Sequence, residues 1–124
     1  MNVIDSSAWL EFLADGPNAD EFAVPLGDRA KLVVPSITIY EVFRVVLRQR
    51  GEDSALQAAA LMQQGTVVEL SPSLAMIAAK TSVELALPMA DSIILATARV
   101  HQATLWTQDQ HFDGVPGVRY FPKR

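Results

Sequence analysis

Four acidic residues lie where the sequence predicts junctions between strands and helices. Asp5 directly follows a short apolar segment, and Asp109 lies two residues beyond a second β-rich segment. Glu41 falls in the first turns of one predicted helix, and Asp91 lies at the start of another. Because sites in parallel α/β proteins form beyond the carboxyl ends of the strands, we expect these four side chains to share one cleft.

A cleft with four carboxylates favours a cation. The negative charges repel one another, and without a partner at least one carboxyl group is expected to have a raised pKa. Mg²⁺ and Mn²⁺ remove this conflict, since both prefer oxygen ligands and keep positions for water and phosphate oxygens. Such an ion polarises a phosphoryl group and makes water acidic enough to attack it. The spacing therefore favours metal-assisted phosphoryl chemistry.

Each of these acidic residues also has a purely structural interpretation. Asp5 and Asp91 are suited to helix N-caps, and Asp109 is suited to a turn. Glu41 fits a capping box with Thr38, in which the glutamate reaches back to a backbone N–H. Considered one at a time, the residues leave these structural interpretations open.

Strand and helix signals alternate along the whole chain. The predicted strands cover residues 3–4, 31–34, 66–70, 103–107 and 118–121. The predicted helices cover residues 8–13, 18–29, 52–65, 72–87 and 90–102, and a further helix that runs to about residue 50 has Ser36 and Thr38 as alternative caps. This alternation predicts an α/β fold with a mostly parallel central sheet of four to five strands. The length of 124 residues suits one domain, so we expect residues 1–124 to form a single domain.

Composition excludes several classes of function. The chain has no cysteine, which excludes disulfides, cysteine nucleophiles and cysteine-ligated metal clusters. The net charge of −4 disfavours a nucleic-acid partner held by bulk charge. We expect no signal peptide, no membrane-spanning segment and no membrane partner, which predicts a cytoplasmic protein.

Four segments resemble the motifs of one known family. They are residues 3–8, 35–41, 90–98 and 107–112. In this order, and over nearly the whole chain, they resemble the PIN-domain ribonucleases, and most nearly the VapC-type toxins of bacterial toxin–antitoxin pairs. The resemblance implies a PIN-like three-layer α/β/α sandwich. It also implies Mg²⁺- or Mn²⁺-dependent endonucleolytic cleavage of RNA, in which water activated by the ion attacks a phosphodiester.

The resemblance assigns roles to the four acidic residues, which we call the acidic quartet: Asp5, Glu41, Asp91 and Asp109. All four are the implied catalytic residues. Asp5, Asp91 and Asp109 are the implied metal ligands, whereas Glu41 would hold a water, a second ion or one of the ligands.

Further residues have supporting roles by the same resemblance. Ser6 and Thr107 lie beside the acids, where they would orient a carboxylate or contact phosphate. Local basic residues would bind the RNA, with Arg44, Arg48 and Arg99 as candidates. Such contacts to phosphate make binding dependent on salt. The arginines on the helix that carries Glu41 could instead form a solvated face or a docking surface for a protein.

The family's partners are a cognate antitoxin and a second copy of the chain. Apolar residues such as Trp9, Phe12 and Val46 either complete the core or line a groove for one of these partners. Two alternative functions stay open at this point. They are a housekeeping RNA-processing nuclease and a catalytically silent module that binds RNA or protein. Whether Asp113 or His111 takes part in the site also stays open, since both are typical of turns and loops.

Overall fold

Five short strands pair in a single parallel sheet in the structure, a computed structural model that describes residues 1–124. The strands are β1 (Asn2–Ile4), β2 (Leu32–Pro35), β3 (Thr66–Val68), β4 (Thr104–Thr107) and β5 (Val118–Tyr120). Their order is β3-β2-β1-β4-β5, and all four pairings are parallel. From β1 the chain proceeds outward in one direction to β2 and β3, and later in the other to β4 and β5. The topological switch point therefore lies between β1 and β4.

Six helices cover the two faces of the sheet. They are α1 (Ser6–Leu13), α2 (Ala19–Leu26), α3 (Ser36–Arg50), α4 (Glu52–Met62), α5 (Pro72–Leu85) and α6 (Met89–Val100). The local signals explain two of the boundaries. Gly51 ends α3 with a φ of 91°, a conformation that favours glycine. Ser71 caps α5 by accepting a hydrogen bond from the backbone N–H of Leu74, and Pro72 occupies the first helical position.

Alternate residues of the central strands point to opposite faces of the sheet. One face packs against helices α1 to α4 through the buried residues Ile4, Leu32, Val34 and Trp106. The other face packs mainly against α6 through Val3, Val33 and Leu105, and α5 packs in turn on α6. The predicted three-layer α/β/α sandwich is confirmed, and the mostly parallel sheet is parallel throughout.

Most of the observed boundaries differ from the sequence-based ones by one to three residues, and two of the differences have a visible cause. The helix predicted for residues 18–29 ends at Leu26, and a short 3₁₀ helix at Arg29–Lys31 leads into β2. The third strand ends at Val68 rather than at residue 70, because Val68 pairs with Pro35, where β2 ends. No helix combines the length and the hydrophobicity that crossing a bilayer requires.

Candidate metal centre

The carboxyl ends of β1 and β4 place Asp5 beside Thr107. Ile4 pairs with Trp106 in the sheet, so the residues that follow them, Asp5 and Thr107, lie at the same level. The backbone N–H of Asp5 donates to the carbonyl of Trp106, with an N–O distance of 3.0 Å. The Thr107 hydroxyl then donates to Oδ2 of Asp5 over 2.8 Å. Asp5 is only 2% exposed, so this carboxylate is fixed at the switch point.

A second hydroxyl group holds the same carboxylate oxygen. The Ser7 hydroxyl donates to Oδ2 of Asp5 over 2.6 Å, and the Thr107 hydroxyl accepts from the backbone N–H of Asp109. Each hydroxyl has a single proton, so the 3.3 Å contact between Ser7 Oγ and Thr107 Oγ1 is no hydrogen bond while both donate to Asp5. Both hydroxyls contact Oδ2, which leaves Oδ1 free of them for another ligand.

Glu41 reaches the site from α3, which follows the neighbouring strand β2. The Ser6 hydroxyl donates to Oε1 of Glu41 over 2.6 Å, so it holds one oxygen of this carboxylate. The capping-box interpretation of Glu41 is wrong. Helix α3 begins at Ser36, two residues before Thr38, and the Thr38 hydroxyl donates to the carbonyl of Pro35. Glu41 is therefore free to point towards β1.

A second group of side chains forms where α6 begins and β4 ends. Asp91 is the third residue of α6, whose N-cap position is Pro88, so the N-cap interpretation of Asp91 is wrong. Asp109 has the turn role that the sequence suggested, since its Oδ1 accepts from the backbone N–H of His111. His111 Nδ1 lies 2.9 Å from Asp91 Oδ2 and 3.4 Å from Asp109 Oδ1. Ligand atoms of these three residues all lie within 4.8 Å of one another.

Burial and mutual repulsion both disfavour the charged forms of the acidic residues at the site. Burial is the main cause that raises the pKa of Asp5, of Glu41 and of Asp91, and it raises the pKa of Asp91 to about 6. Neighbouring carboxylates raise all three further, and the hydrogen bonds from Ser, Thr or His side chains only partly oppose this. The pKa of His111 is raised chiefly by its hydrogen bond to Asp91 and then by the charge of Asp109. No lysine or arginine forms an ion pair with the acidic quartet.

These residues fit a hard divalent cation. The donors are carboxylate oxygens, and adjacent ligands on an octahedral ion at about 2.1 Å lie about 3 Å apart. Carboxylate oxygens of Asp91 and Asp109 lie within 4.8 Å of each other, which is close enough for both to reach one ion. Asp91 and Asp109, two of the three predicted ligands, share this cluster, whereas Asp5 lies outside the set whose ligand atoms are all within 4.8 Å of one another. The role of Asp5 as a ligand stays a prediction.

The candidate RNA-binding arginines are exposed, and none of them forms an ion pair. Arg44 and Arg48 follow Glu41 by three and seven residues, so all three lie on one face of α3. Arg99 is eight residues beyond Asp91 on α6, which places it about 12 Å further along the helix axis. Arg44, about 4.5 Å along the helix axis from Glu41, is thus the best placed of the three to continue the site.

The sequence did not predict that Ser7 holds the Asp5 carboxylate, and it left open whether His111 takes part in the site. Ser7 offered one signal, because a hydroxyl two residues after an aspartate commonly bonds back to it. His111 offered none, since its contact with Asp91 joins residues twenty positions apart. Asp113 is exposed and belongs to no ligand cluster.

Comparison with known proteins identifies the family. The sequence model of the PIN domain matches residues 3–118. The chain belongs to the PIN domain family. A comparison with curated protein sequences finds no significant match. The predicted membership in the PIN family is therefore confirmed by a match that spans nearly the whole chain.

Solved structures share the fold of this PIN domain. A toxin–antitoxin complex from Klebsiella pneumoniae contains a chain with a TM-score of 0.82 and 22% identity, which covers 98% of this chain and 99% of that one. VapC20 from Mycobacterium tuberculosis, a toxin that cleaves the sarcin–ricin loop, has a TM-score of 0.78 and 16% identity, and the match covers 94% of this chain and 95% of that one. DNA-bound VapBC from Salmonella typhimurium contains a chain with a TM-score of 0.72 and 16% identity, and the match covers 98% of this chain and 96% of that one. The predicted likeness to VapC toxins is confirmed in the fold.

Proposed function

We propose that this PIN domain is a metal-dependent endoribonuclease and the toxin of a toxin–antitoxin pair. One observation carries the proposal: a partly buried acidic quartet lies at the switch point of a parallel sheet and has no lysine or arginine partner. Such a site is stabilised by a divalent cation, for which Mg²⁺ and Mn²⁺ are the candidates. The structural likeness to VapC20, a toxin that cleaves the sarcin–ricin loop, supports RNA as the substrate. An RNA substrate in turn supports a cytoplasmic location.

The ion supplies charge neutralisation at the phosphate and acidifies water. The protein holds the carboxylates in position around the ion. Asp5 is locked by two hydroxyls, while Asp91 and Asp109 offer further oxygens beside it. Glu41 keeps Oε2 free of the Ser6 hydroxyl, so this oxygen is available to accept a hydrogen bond from the attacking water. Attack at phosphorus then breaks the bond to the 3′ oxygen, which leaves a 5′-phosphate and a 3′-hydroxyl.

RNA cleavage and growth test the catalytic proposal together. We expect the purified protein to cleave RNA with Mg²⁺ or Mn²⁺ and to stop in EDTA, and we expect its expression to arrest growth. Asp5→Asn is expected to abolish both effects while its circular dichroism stays native. Asp113→Asn is the matched control, since Asp113 is exposed and outside the cluster, and it is expected to behave as wild type. Cleavage without toxicity would favour the housekeeping nuclease, and RNA binding without cleavage would favour the silent module.

The arginine face of α3 is the proposed RNA contact. Removal of one arginine–phosphate interaction lowers the slope of log affinity against log salt by about 0.7 for a single strand. We expect Arg44→Ala with Arg48→Ala to lower this slope by about one or more and to weaken binding mainly at low salt. Arg29→Ala is the matched control, because Arg29 precedes β2 and so lies at the opposite end of the sheet. Equal effects of both variants on the affinity would contradict the assignment.

A groove beside the site is the proposed docking place of an antitoxin segment. It has a volume of about 620 Å³ and lies between α1, α3 and α4, with apolar walls that include Leu10, Val46 and Leu61. Ser7 and Gln108 also line it, and Ser7 holds the Asp5 carboxylate. A bound amphipathic segment would therefore reach the acidic quartet. The Klebsiella and Salmonella structures of toxin–antitoxin and VapBC complexes support a partner of this kind.

The groove is tested by placing a charge on its wall. We expect Val45→Arg to weaken inhibition by the cognate antitoxin at least tenfold while RNA cleavage persists. Val24→Arg is the matched control, because Val24 is 69% exposed and does not line the groove. Unchanged inhibition of Val45→Arg would contradict the assignment.

A second copy of the chain is the other proposed partner. Met76 and Val83 are 69% and 85% exposed and lie seven residues apart, so they share one face of α5. We propose that this face contributes to a homodimer. Sedimentation is expected to give a dimer for the wild type and a monomer for Met76→Glu with Val83→Glu. A wild-type monomer at micromolar concentration would refute the dimer.

A further inference from the structure

His111 is the one basic side chain that contacts the acidic quartet. Its Nδ1 atom lies 2.9 Å from Asp91 Oδ2 and 3.4 Å from Asp109 Oδ1, whereas no lysine or arginine reaches either carboxylate. These three residues are also the only cluster of potential metal-ligating side chains in the structure. The cluster thus offers two carboxylate oxygens and one imidazole nitrogen rather than carboxylates alone.

The backbone holds the imidazole in this place. His111 lies in a short 3₁₀ helix, Gln110–Phe112, that Asp109 caps by accepting from the backbone N–H of His111. The next residue, Phe112, is fully buried and packs with Ile94 and Leu95 of α6. The turn is therefore anchored at both ends to the elements that carry Asp91 and Asp109. His111 is directed towards them by the fold and not only by attraction between side chains.

We propose that His111 Nδ1 is a ligand of the divalent ion, together with Asp91 and Asp109. This inference rests on the proposed metal-dependent function and adds a nitrogen donor to its site. The His111 side chain is 53% exposed, so the tautomer that carries its proton on Nε2 can direct that proton to water and present the Nδ1 lone pair to the ion. The spacing of Nδ1 from both carboxylate oxygens is that of neighbouring ligands on one octahedral ion.

A nitrogen ligand changes which metals the site prefers. Carboxylates and water suit Mg²⁺, whereas imidazole suits transition metals, whose affinity increases from Mn²⁺ to Co²⁺. Removal of the imidazole is therefore expected to matter least for Mg²⁺, more for Mn²⁺ and most for Co²⁺. His111 would then set the metal selectivity of a site whose other donors are all oxygens.

Electron spin-echo spectroscopy of the untagged, Mn²⁺-loaded protein tests the ligand directly. The chain has two histidines, His101 and His111, and His101 contacts the Thr97 carbonyl at the end of α6. We expect imidazole nitrogen modulation in the wild type and in His101→Gln, and none in His111→Gln. Absence of modulation in His101→Gln, or its persistence in His111→Gln, would overturn the proposal.

Titration calorimetry with each metal alone supplies the second measurement. We expect His111→Gln to weaken Mg²⁺ binding less than about threefold, Mn²⁺ binding about tenfold and Co²⁺ binding more than that, in line with the softness of the imidazole donor. His101→Gln should leave all three unchanged. Equal weakening for the three metals would refute the ligand role. Failure of the wild type to bind any of them would instead refute the proposed metal-dependent function, so the two failures are distinguishable.

Discussion

Replacing Asp91 by asparagine is expected to stabilise the metal-free protein while it impairs the site. Burial raises the pKa of Asp91 from 3.8 to about 6, even though the hydrogen bond from His111 opposes that shift. The folded protein therefore binds the Asp91 proton more tightly than the unfolded chain does. Asparagine has nearly the same shape without the charge, and it can still bond to the imidazole.

The magnitude follows from linkage between protonation and folding. The pKa of Asp91 differs by about two units between the folded and the unfolded protein, and each unit corresponds to about 1.36 kcal/mol. The charged form of Asp91 therefore costs the folded protein about 3 kcal/mol. Solvent at this half-buried position reduces the cost, so we expect Asp91→Asn to raise the free energy of unfolding by about 1–3 kcal/mol above about pH 7. The sign follows from protonation. Below pH 3.8 both states carry the proton and the gain vanishes, and it grows as pH rises through about 6.

Urea denaturation in EDTA at several pH values between about 4 and 8 measures this gain. Saturating Mn²⁺ should reverse the order of the two proteins, because a ligand stabilises the form that binds it by RT ln(1 + [L]/Kd) and the variant lacks one ligand. Thr66→Ala, an exposed change on β3, provides a control for effects of pH on the rest of the fold. A variant less stable than the wild type at about pH 8 in EDTA, or a gain that does not depend on pH, would refute the reasoning.

Three further changes test the packing and the hydrogen bonds around the site. Asn18 is fully buried and donates to the Gln108 side chain and to the Pro122 carbonyl. Asn18→Leu is therefore expected to lower the free energy of unfolding, measured in urea, by about 2–4 kcal/mol, and a decrease below about 1 kcal/mol would contradict this. Gly65→Ala would place a Cβ 2.9 Å from a Val34 methyl group and 3.0 Å from the Leu32 carbonyl, so the melting temperature of this variant should fall by several degrees. Gly27→Ala is the control, because no atom lies closer than 3.5 Å to the new Cβ, and its melting temperature should change little. Ser6→Ala removes the hydroxyl that orients Glu41, so kcat for RNA cleavage should fall about tenfold at an unchanged melting temperature, and an unchanged kcat would exclude this positioning role.

The sequence predicts most of the fold because its local signals agree with the tertiary structure. Each strand is a short β-branched or apolar run bounded by a cap residue, a glycine or a proline, and a strand forms at each position along the chain where this pattern predicts one. The exception at β3 has a tertiary cause. Residues 69–70 continue the β pattern, but β2 ends at Pro35, so no neighbouring strand pairs with them. Pairing, and not propensity, determines where that strand stops.

The candidate site divides into a predictable part and an unpredictable one. That Asp5 and Thr107 lie at the same edge follows from the sequence, because both lie at the carboxyl ends of strands in a parallel sheet, whereas the structure shows that these two strands are neighbours. The role of Glu41 does not follow, since the capping-box pattern was an equally good local explanation. Only the structure shows that α3 begins two residues before Thr38 and so releases Glu41 from a capping role. The contact of His111 with Asp91 depends on how α6 packs beside the turn after β4, which no local pattern encodes.

The two parts of the site respond differently to a cation. Hydroxyl groups hold Asp5 and Glu41, and those donors can stay in place when an ion binds the other carboxylate oxygens. Asp91 is held instead by the His111 imidazole, whose Nδ1 cannot donate a proton to that carboxylate and bind a cation at the same time. An ion can therefore bind Nδ1 only if the proton leaves that atom; otherwise the ring keeps its hydrogen bond to Asp91 Oδ2 or is displaced. Because Phe112 anchors the turn in the core, displacement would need a rotation of the histidine side chain alone, away from both aspartates. Nitrogen modulation on Mn²⁺ is expected only where Nδ1 binds the ion, so this measurement separates a ring that binds the ion from a ring that stays bonded to Asp91 or moves away.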